Sequence, residues 1–227
     1  MQRIMKYNIV TVKFGTKYSS NFVNKLYNDI KLKCTDAFEF YCYTDDPTDI
    51  DPNITIINNF SSPTLKGVWN KLRLFDEAMP MQGKTIFLDL DTLINDDIIN
   101  RLNGGHDWSK LAVINELHKV KKLYGRLSNY DVHINSSVMT WDASNPDIHN
   151  VWKHFNTGLR DYYMRKYPGM DRFLAHEDFE LAYIIPGYSA SRSRFAKNEI
   201  RPSSAAIITY EGLDIEFEDL ISDAQAL

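Results

Sequence analysis

Apolar residues recur along residues 1–95 with two periods, that of a β-strand and that of an amphipathic helix. Some runs are continuously apolar or alternate with polar residues, and in others apolar residues recur every third or fourth position. The runs predict strands at 9–14, 38–43, 54–57 and 85–88, and helices near 22–30 and at 67–79. This alternation is typical of an α/β sheet whose strands are joined by crossover connections.

The predicted helix at 67–79 has an apolar face and two basic side chains. With 3.6 residues per turn, Val68, Leu72 and Phe75 fall on the buried side. Lys71 lies at the margin of that side, whereas Arg73 lies well round towards solvent. Lys71 is therefore either a group that assists a bound ligand or an ordinary lysine with a buried stem.

The second half of the chain is less regular. Its pattern predicts strands at 111–114, 132–141 and 205–210, helices at 146–165 and 171–185, and an acidic helix or disordered segment at the end. Tyr167, Pro168 and Gly169 separate the two helices, because proline and glycine interrupt helical runs. Neither face of the strand at 132–141 is cleanly apolar, which favours a strand that lines a cleft.

The most informative stretch is 85–95, where an apolar strand runs into Asp89 and Asp91. Ligands bind at the carboxyl ends of strands in such sheets. Side chains at positions i and i+2 point to the same side, so the two carboxylates would be roughly 6–7 Å apart if the strand stays extended. At that spacing one aspartate would bind a small cation and the other a neighbouring group, unless the strand bends. The alternative is that both aspartates simply end the strand as turn formers.

Composition and charge narrow the class of protein. The chain has 227 residues, 44% of them hydrophobic, and a formal net charge of −4. This balance supplies no general basic field, so we expect neither a nucleic-acid partner nor an anionic membrane surface. Cys34 and Cys42 are too few for a disulfide framework and have the wrong pattern for a zinc site. We find no signal sequence and no transmembrane segment, and therefore expect a cytoplasmic enzyme.

Several short motifs occur in a fixed order, and together they resemble GT-A type nucleotide-sugar-dependent glycosyltransferases with a D-x-D motif. They are an N-terminal βαβ region, WNKLRLF at 69–75, IFLDLDTLI at 86–94, INSSVM at 134–139 with Trp141, and GMDRF at 169–173 before His176 and Glu177. The resemblance covers roughly residues 7–212. It implies a Rossmann-like three-layer α/β/α fold with a central, mostly parallel sheet. We expect one domain, with a nucleotide-binding half at 1–95, an acceptor and metal half at 96–212, and a C-terminal tail at 213–227.

The resemblance also implies donor-binding residues. In that family the first strand and the loop after it hold the nucleoside base, which corresponds here to residues 12–18. The D-x-D binds Mn²⁺ or Mg²⁺, which bridges the donor diphosphate, so Asp91 is the better metal ligand and Asp89 the better partner for ribose or sugar hydroxyls. The donor-binding set is then Val12, Phe14, Gly15, Tyr18, Lys71, Asp89 and Arg192, the last in the basic run 191–197 that would close over the phosphates.

One position departs from the family pattern. Many members carry a C-terminal histidine as a further metal ligand, and the corresponding stretch here offers Glu211. A glutamate is a hard oxygen donor that suits manganese or magnesium. Glu211 is therefore either a metal ligand or an ordinary loop residue.

The segment after Pro168 and Gly169 carries candidate catalytic carboxylates. On a helix from Asp171, the carboxylate of Glu177 would lie beside the apolar face, where it is costly unless bonded. Asp178 would lie near the same face, so Asp171, Glu177 and Asp178 are candidates for a general base or for binding sugar hydroxyls. Asp171 is equally suited to be the helix N-cap. Asn135, in the cleft-lining strand, is a candidate for binding donor or acceptor hydroxyls.

The predicted function is the metal-dependent transfer of a hexose from a nucleotide diphosphate sugar, with a UDP-sugar favoured, to a glycan or other hydroxyl acceptor. The sugar, the acceptor and the stereochemistry stay open. One alternative is a haloacid dehalogenase-like phosphatase, but its motif usually continues through Gly-Thr, and Thr92 directly follows Asp91 here. The other is a non-catalytic nucleotide-sugar or glycan-binding module.

Overall fold

The computed structural model describes residues 6–58, 65–103, 105–115, 133–185, 188–191, 205–210 and 215–225. The strands are β1 (Tyr7–Lys13), β2 (Phe38–Thr44), β3 (Thr55–Ile57), β4 (Lys84–Leu88), β5 (Thr92–Ile94), β6 (Leu111–Asn115), β7 (Ile134–Asp142), β8 (Leu181–Tyr183), β9 (Ser189–Ser191) and β10 (Ile207–Thr209). The helices are α1 (Ser20–Lys33), α2 (Ile98–Leu102), α3 (His149–Phe155), α4 (Arg160–Lys166), α5 (Met170–His176) and α6 (Phe217–Gln225). Two 3₁₀ helices cover Gly67–Phe75 and Pro146–Ile148.

The strands form two sheets. The larger has seven strands in the order β3-β2-β1-β4-β7-β6-β8, and the smaller has the order β5-β10-β9. β1 pairs with β2, β2 with β3 and β6 with β8 in parallel, whereas β6 and β7 are antiparallel. The predicted α/β class with a mostly parallel central sheet is confirmed.

The chain divides into two compact units, each built from separated segments. The first unit contains Met1–Asn58, Ile86–His106 and Ile185–Leu227, and the second contains Asn59–Thr85 and Asp107–Ile184. The organisation as one domain with two sequence halves stays a prediction.

The first unit is organised around buried β1. Ile9 and Val10 are fully buried, and Ile9 lies opposite Phe40 of β2 in the parallel register. The hydroxyl of Thr11, also fully buried, donates a 2.9 Å hydrogen bond to the Leu88 carbonyl at the end of β4. Because a buried hydroxyl needs a partner, this bond fixes the end of β4 against β1. It thereby positions the residues that follow Leu88.

The strand that precedes the two aspartates does not stay extended. β4 ends at Leu88, Leu90 and Asp91 lie in a turn, and β5 begins at Thr92. β5 belongs to the smaller sheet, where it pairs antiparallel with β10. The chain therefore changes sheets at the two aspartates, so their spacing is not that of a continuous strand.

The helix predicted at 67–79 is a 3₁₀ helix that ends at Phe75. With three residues per turn, Trp69, Leu72 and Phe75 align, and they are 6%, 0% and 0% exposed. Val68 is 48% exposed and Arg73 only 2%, so the predicted orientations of both were wrong. The guanidinium carbon of Arg73 instead lies 5.1 Å from the centre of the Trp152 ring.

Both long helices predicted in the second half are shorter than expected. The helix predicted at 146–165 is divided by Gly158, whose φ of 89° lies in the left-handed region that favours glycine. The helix predicted at 171–185 ends at His176, where Glu177 takes an extended conformation as C-cap. The chain after Glu177 leaves the helix and forms β8, which pairs in parallel with β6.

Candidate active site

The acidic turn after β4 is joined to the loop after β1. Asp89 and Asp91 are both half-buried. The hydroxyl of Tyr18 donates a 2.7 Å hydrogen bond to Oδ2 of Asp91. The Tyr18 ring packs against Phe22 of α1, with ring centres 5.0 Å apart. Two predicted donor-site residues, distant in sequence, are thus in direct contact.

The same loop is also attached to the end of β2. Gly15 has a φ of 71°, and its N–H lies 3.2 Å and 3.1 Å from the two carboxylate oxygens of Asp45. The rings of Phe14 and Tyr43 are 4.8 Å apart. Because β1 and β2 are parallel, their carboxyl ends lie at the same edge, where ligands of such sheets bind.

Sequence reasoning missed two charged residues at this edge, Lys13 and Asp45. Lys13 is only 5% exposed, and its ammonium donates to the Asp46 carbonyl at 3.3 Å and lies 4.0 Å from Oδ2 of Asp46. Lys13 could have been noticed as a lysine within an otherwise apolar strand pattern. Asp45 lies in the polar run 44–47, whose pattern indicates only a turn after β2.

Lys71 lies in the 3₁₀ helix and is 8% exposed, so it is more buried than a marginal surface lysine. The start of that helix is fixed by Asn70. The Asn70 amide nitrogen donates to the carbonyls of Leu65 at 2.7 Å and Gly67 at 3.1 Å. Its amide oxygen accepts from the Leu65 N–H at 3.1 Å. Lys71 is therefore carried by a backbone segment with a defined position.

In the second unit, Asp171 and Asn135 are brought together at β7. Oδ1 of Asp171 accepts a 3.0 Å hydrogen bond from the N–H of Ser136, and Oδ1 of Asn135 accepts one of 2.6 Å from the N–H of Ser137. Asn135 is buried, with 7% exposure. The N-cap of α5 is Gly169, so the interpretation of Asp171 as N-cap was wrong. The carboxylate reaches a neighbouring strand instead.

Glu177 is the centre of a hydrogen-bonded cluster. Its Oε1 accepts from the Tyr167 hydroxyl at 2.6 Å and from the Lys166 ammonium at 3.0 Å, and its Oε2 lies 2.9 Å from Nε2 of His154. Nε2 also lies 2.9 Å from the Tyr163 hydroxyl oxygen. An ionised carboxylate at this distance requires a proton on Nε2. The cluster therefore joins α3, α4 and the end of α5.

The Glu177 cluster predicts a pH-dependent contribution to stability. Burial would raise the pKa of Glu177, but the hydrogen bonds from Tyr167, His154 and Lys166 outweigh it and hold the pKa below the ordinary value of 4.5. The stabilisation is then complete above about pH 4.5 and is lost as the pH falls through the lower folded-state value. Glu177→Gln should lower the free energy of unfolding by about 1–3 kcal/mol at pH 7, measured by urea denaturation.

The matched control for this prediction is Glu180→Gln. The Glu180 side chain is 80% exposed, so its loss should change stability by no more than about 0.5 kcal/mol. The difference between Glu177→Gln and the parent should shrink at pH values below 4.5. Equal stability of Glu177→Gln and the parent at pH 7 would show that the cluster contributes nothing.

Two predicted site residues, Arg192 and Glu211, lie outside the described residues. Within the described part of the chain, no group of three or more His, Cys, Asp or Glu side chains is arranged to hold a metal ion. No helix among those residues is long and apolar enough to cross a membrane. Cys34 and Cys42 are free thiols, and burial raises the pKa of each to about 12. They have little thiolate character.

Solved glycosyltransferases share this fold. The chain superimposes on the galactosyltransferase LgtC, solved with donor and acceptor sugar analogues, with a TM-score of 0.66 and 13% identity over 97% of this chain and 96% of that one. The glycosyltransferase GlyE of Streptococcus pneumoniae has a TM-score of 0.62 and 9% identity, over 96% of this chain and 60% of that one. A glycosyltransferase involved in the glycosylation of the major capsid of PBCV-1 has a TM-score of 0.58 and 12% identity, over 97% of this chain and 99% of that one.

The sequence itself matches no protein-family profile and no curated protein. The likeness therefore lies in the three-dimensional structure. The chain has the Rossmann-like GT-A fold of these enzymes, as the sequence motifs predicted.

Proposed function

We propose that this protein is a glycosyltransferase that moves a hexose from a nucleotide diphosphate sugar, most favourably a UDP-sugar, to a hydroxyl group of a glycan or other acceptor. One observation carries the proposal: the hydrogen bond from Tyr18 to Asp91 joins the loop after β1 to the acidic turn after β4. In a GT-A fold these are the two segments that would hold the base and the diphosphate of the donor. The fold shared with LgtC, which was solved with donor and acceptor sugar analogues, supports the same assignment.

The donor base would lie against the loop that follows β1. Phe14 and Tyr18 supply aromatic surface there, and both are half-buried. Such faces stack on a nucleobase regardless of its hydrogen-bond pattern. Gly15, with its positive φ, leaves the backbone open to close approach. Val12 completes this proposed set in the first unit. Lys71, Arg192 and Glu211 are proposed from the sequence alone.

The carboxylates of Asp89 and Asp91 fit Mg²⁺ or Mn²⁺. Both are hard oxygen donors, and magnesium is usually held by one or two carboxylates together with substrate phosphates. Without a cation, carboxylate and phosphate charges about 4 Å apart repel by about 4 kcal/mol per pair at an effective dielectric near 20. A bound cation would neutralise charge on the departing diphosphate. Asp91 would hold it, oriented by Tyr18, and Asp89 would bind ribose or sugar hydroxyls.

Asp171 is the proposed general base for an inverting reaction. Its carboxylate is held at β7 by the Ser136 N–H, and it lies beside Asn135, which would bind sugar hydroxyls. Glu177 is the weaker candidate, because three neighbouring groups already stabilise its charge. In an inverting reaction the base accepts the proton of the acceptor hydroxyl. In a retaining one the leaving diphosphate takes it.

A panel of nucleotide sugars, tested with and without manganese, tests the function. We expect one nucleotide sugar to raise the melting temperature only when manganese is present, because ligands of the native state stabilise it by mass action, by about 2.7 kcal/mol at a concentration of 100 Kd. The same compound should release a nucleoside diphosphate when an acceptor is added. Phosphate release from simple esters would indicate a phosphatase, and binding without turnover would indicate a binding module.

A further inference from the structure

A cavity of about 500 Å³ lies within the second unit, and its described lining includes none of the residues to which the proposed function assigns a role. Its walls come from residues 109–111 at the start of β6, residues 145–151 after β7, and residues 178–181 before β8. Small-molecule sites typically have roughly 300–1,000 Å³. The cavity, here called the β6–β8 cleft, is therefore large enough for one or two sugar rings.

The polar groups of the cleft include both acceptors and donors. The side chains of Asp147, Asn150 and Asp178 are exposed, and within the described residues none of them makes a hydrogen bond or ion pair. The Asn145 side chain is different, since its amide donates to the Ser109 carbonyl at 2.6 Å and shapes the wall. Two carboxylates and one amide are thus available to a ligand.

The cleft also has an apolar wall. Leu111 and Ile148 are 3% and 4% exposed, and half-buried Phe179 packs against Phe173 with ring centres 5.4 Å apart. This contact with Phe173 places the Phe179 ring in the wall of the cleft. A pyranose ring has apolar C–H faces and a rim of hydroxyls, which match an apolar wall beside polar side chains.

The charge of the lining restricts the class of ligand further. The described lining contains three acidic residues, Asp147, Asp178 and Glu180, and one basic residue, Lys110. Lys110 is paired with Glu180. The lining therefore carries an excess of negative charge, which disfavours phosphates and nucleotides. Among the described residues of the cleft, no three His, Cys, Asp or Glu side chains are grouped to hold a metal ion. Hydroxyl groups both donate and accept hydrogen bonds, as an amide and carboxylates require.

We propose that the β6–β8 cleft is a second carbohydrate site, which binds a neutral hexose unit of a glycan outside the transfer site. The choice of glycan rests on the proposed transferase function, whereas the cleft and its chemistry do not. A glycan held there would stay on the protein between transfers, because a second contact raises the effective concentration of its other end.

The test is a titration of the ¹⁵N-labelled full chain with methyl glucosides, methyl galactosides, maltose and lactose, followed by two-dimensional NMR. We expect saturable shifts of the backbone amides of Ser109, Asn150 and Phe179 with at least one of these sugars. The double variant Asp147→Ala/Asp178→Ala should weaken that binding about tenfold or more, since each lost hydrogen bond contributes about 1 kcal/mol. Asp161→Ala, an exposed acid on α4 outside the cleft, should bind as the parent does.

The proposal is overturned if none of these sugars shifts the cleft amides, if the shifts appear only around Asn135 and Asp171, or if the double variant binds as the parent does. Turnover with a nucleotide sugar is measured in parallel on the parent chain. Transfer without cleft binding would refute the second site alone. Cleft binding without transfer would refute the transferase function alone.

Discussion

Asp91→Asn is expected to abolish metal-dependent donor binding while leaving the fold intact. The substitution removes the charge that would hold the cation but keeps an oxygen for the hydrogen bond from Tyr18. The buried strand before it is unchanged, and Leu88 remains bonded to Thr11. Without the cation, the diphosphate would meet the remaining acidic charge unscreened. Isothermal titration calorimetry with UDP and manganese measures the loss, and thermal unfolding confirms the fold.

Two further variants define the origin of this loss. Tyr18→Phe removes only the hydroxyl that orients Asp91, and such outer partners typically change metal affinity about 10–100-fold. Its effect should therefore be intermediate. Asp29→Asn removes a half-buried acid of α1 that pairs with Lys25, and donor binding should be unchanged. If Asp91→Asn bound UDP and manganese as tightly as the parent, Asp91 would not be a metal ligand.

Asp171→Asn is expected to lower turnover by about a hundredfold or more, the loss typical of a general base. The amide oxygen of asparagine can still accept the hydrogen bond from the Ser136 N–H, so melting temperature and donor affinity should change little. The substitution therefore separates the charge of the side chain from its structural contact. Single-turnover transfer with saturating donor gives the rate without a contribution from product release.

The controls for Asp171 are Asp161 on α4 and Glu177 at the end of α5. Asp161→Asn removes an exposed acid from the first turn of α4 and should transfer sugar as the parent does. Glu177→Gln is expected to affect stability more than turnover, because its partners belong to a structural cluster. If both Asp171→Asn and Glu177→Gln transferred sugar at near-parental rates, α5 would be scaffold. The acceptor chemistry would then lie elsewhere, around Asn135 or Glu211.

The strands could be predicted from the sequence because their pattern is local. The alternation at 38–43 and the continuous apolar run before Asp89 both identified real strands, β2 and β4. The type and length of the helices were predicted less well than the strands. Val68 and Arg73 were assigned to opposite faces on a period of 3.6, but every residue from Trp69 to Phe75 is buried and Val68 is exposed. Burial on all sides of this short helix comes from tertiary packing, which no helical period predicts.

The end of α5 illustrates a second limit. The apolar positions after Asp171 also fit a helix, but Glu177 is bound by His154, Lys166 and Tyr167, and the chain then joins β6 as a strand. These are tertiary contacts, which override local propensity. The residues of the proposed site were found by their motifs. Their contacts, such as the one between Tyr18 and Asp91, required the structure.

The bond between Tyr18 and Asp91 has a thermodynamic consequence. A proposed base-binding loop and a proposed cation ligand share one hydrogen bond, so a ligand that moves the loop changes the free energy of cation binding. Linkage requires the effect to be reciprocal: whatever factor a nucleoside imposes on manganese affinity, manganese imposes on nucleoside affinity. Even a nucleoside without phosphates would then influence a cation that it never touches.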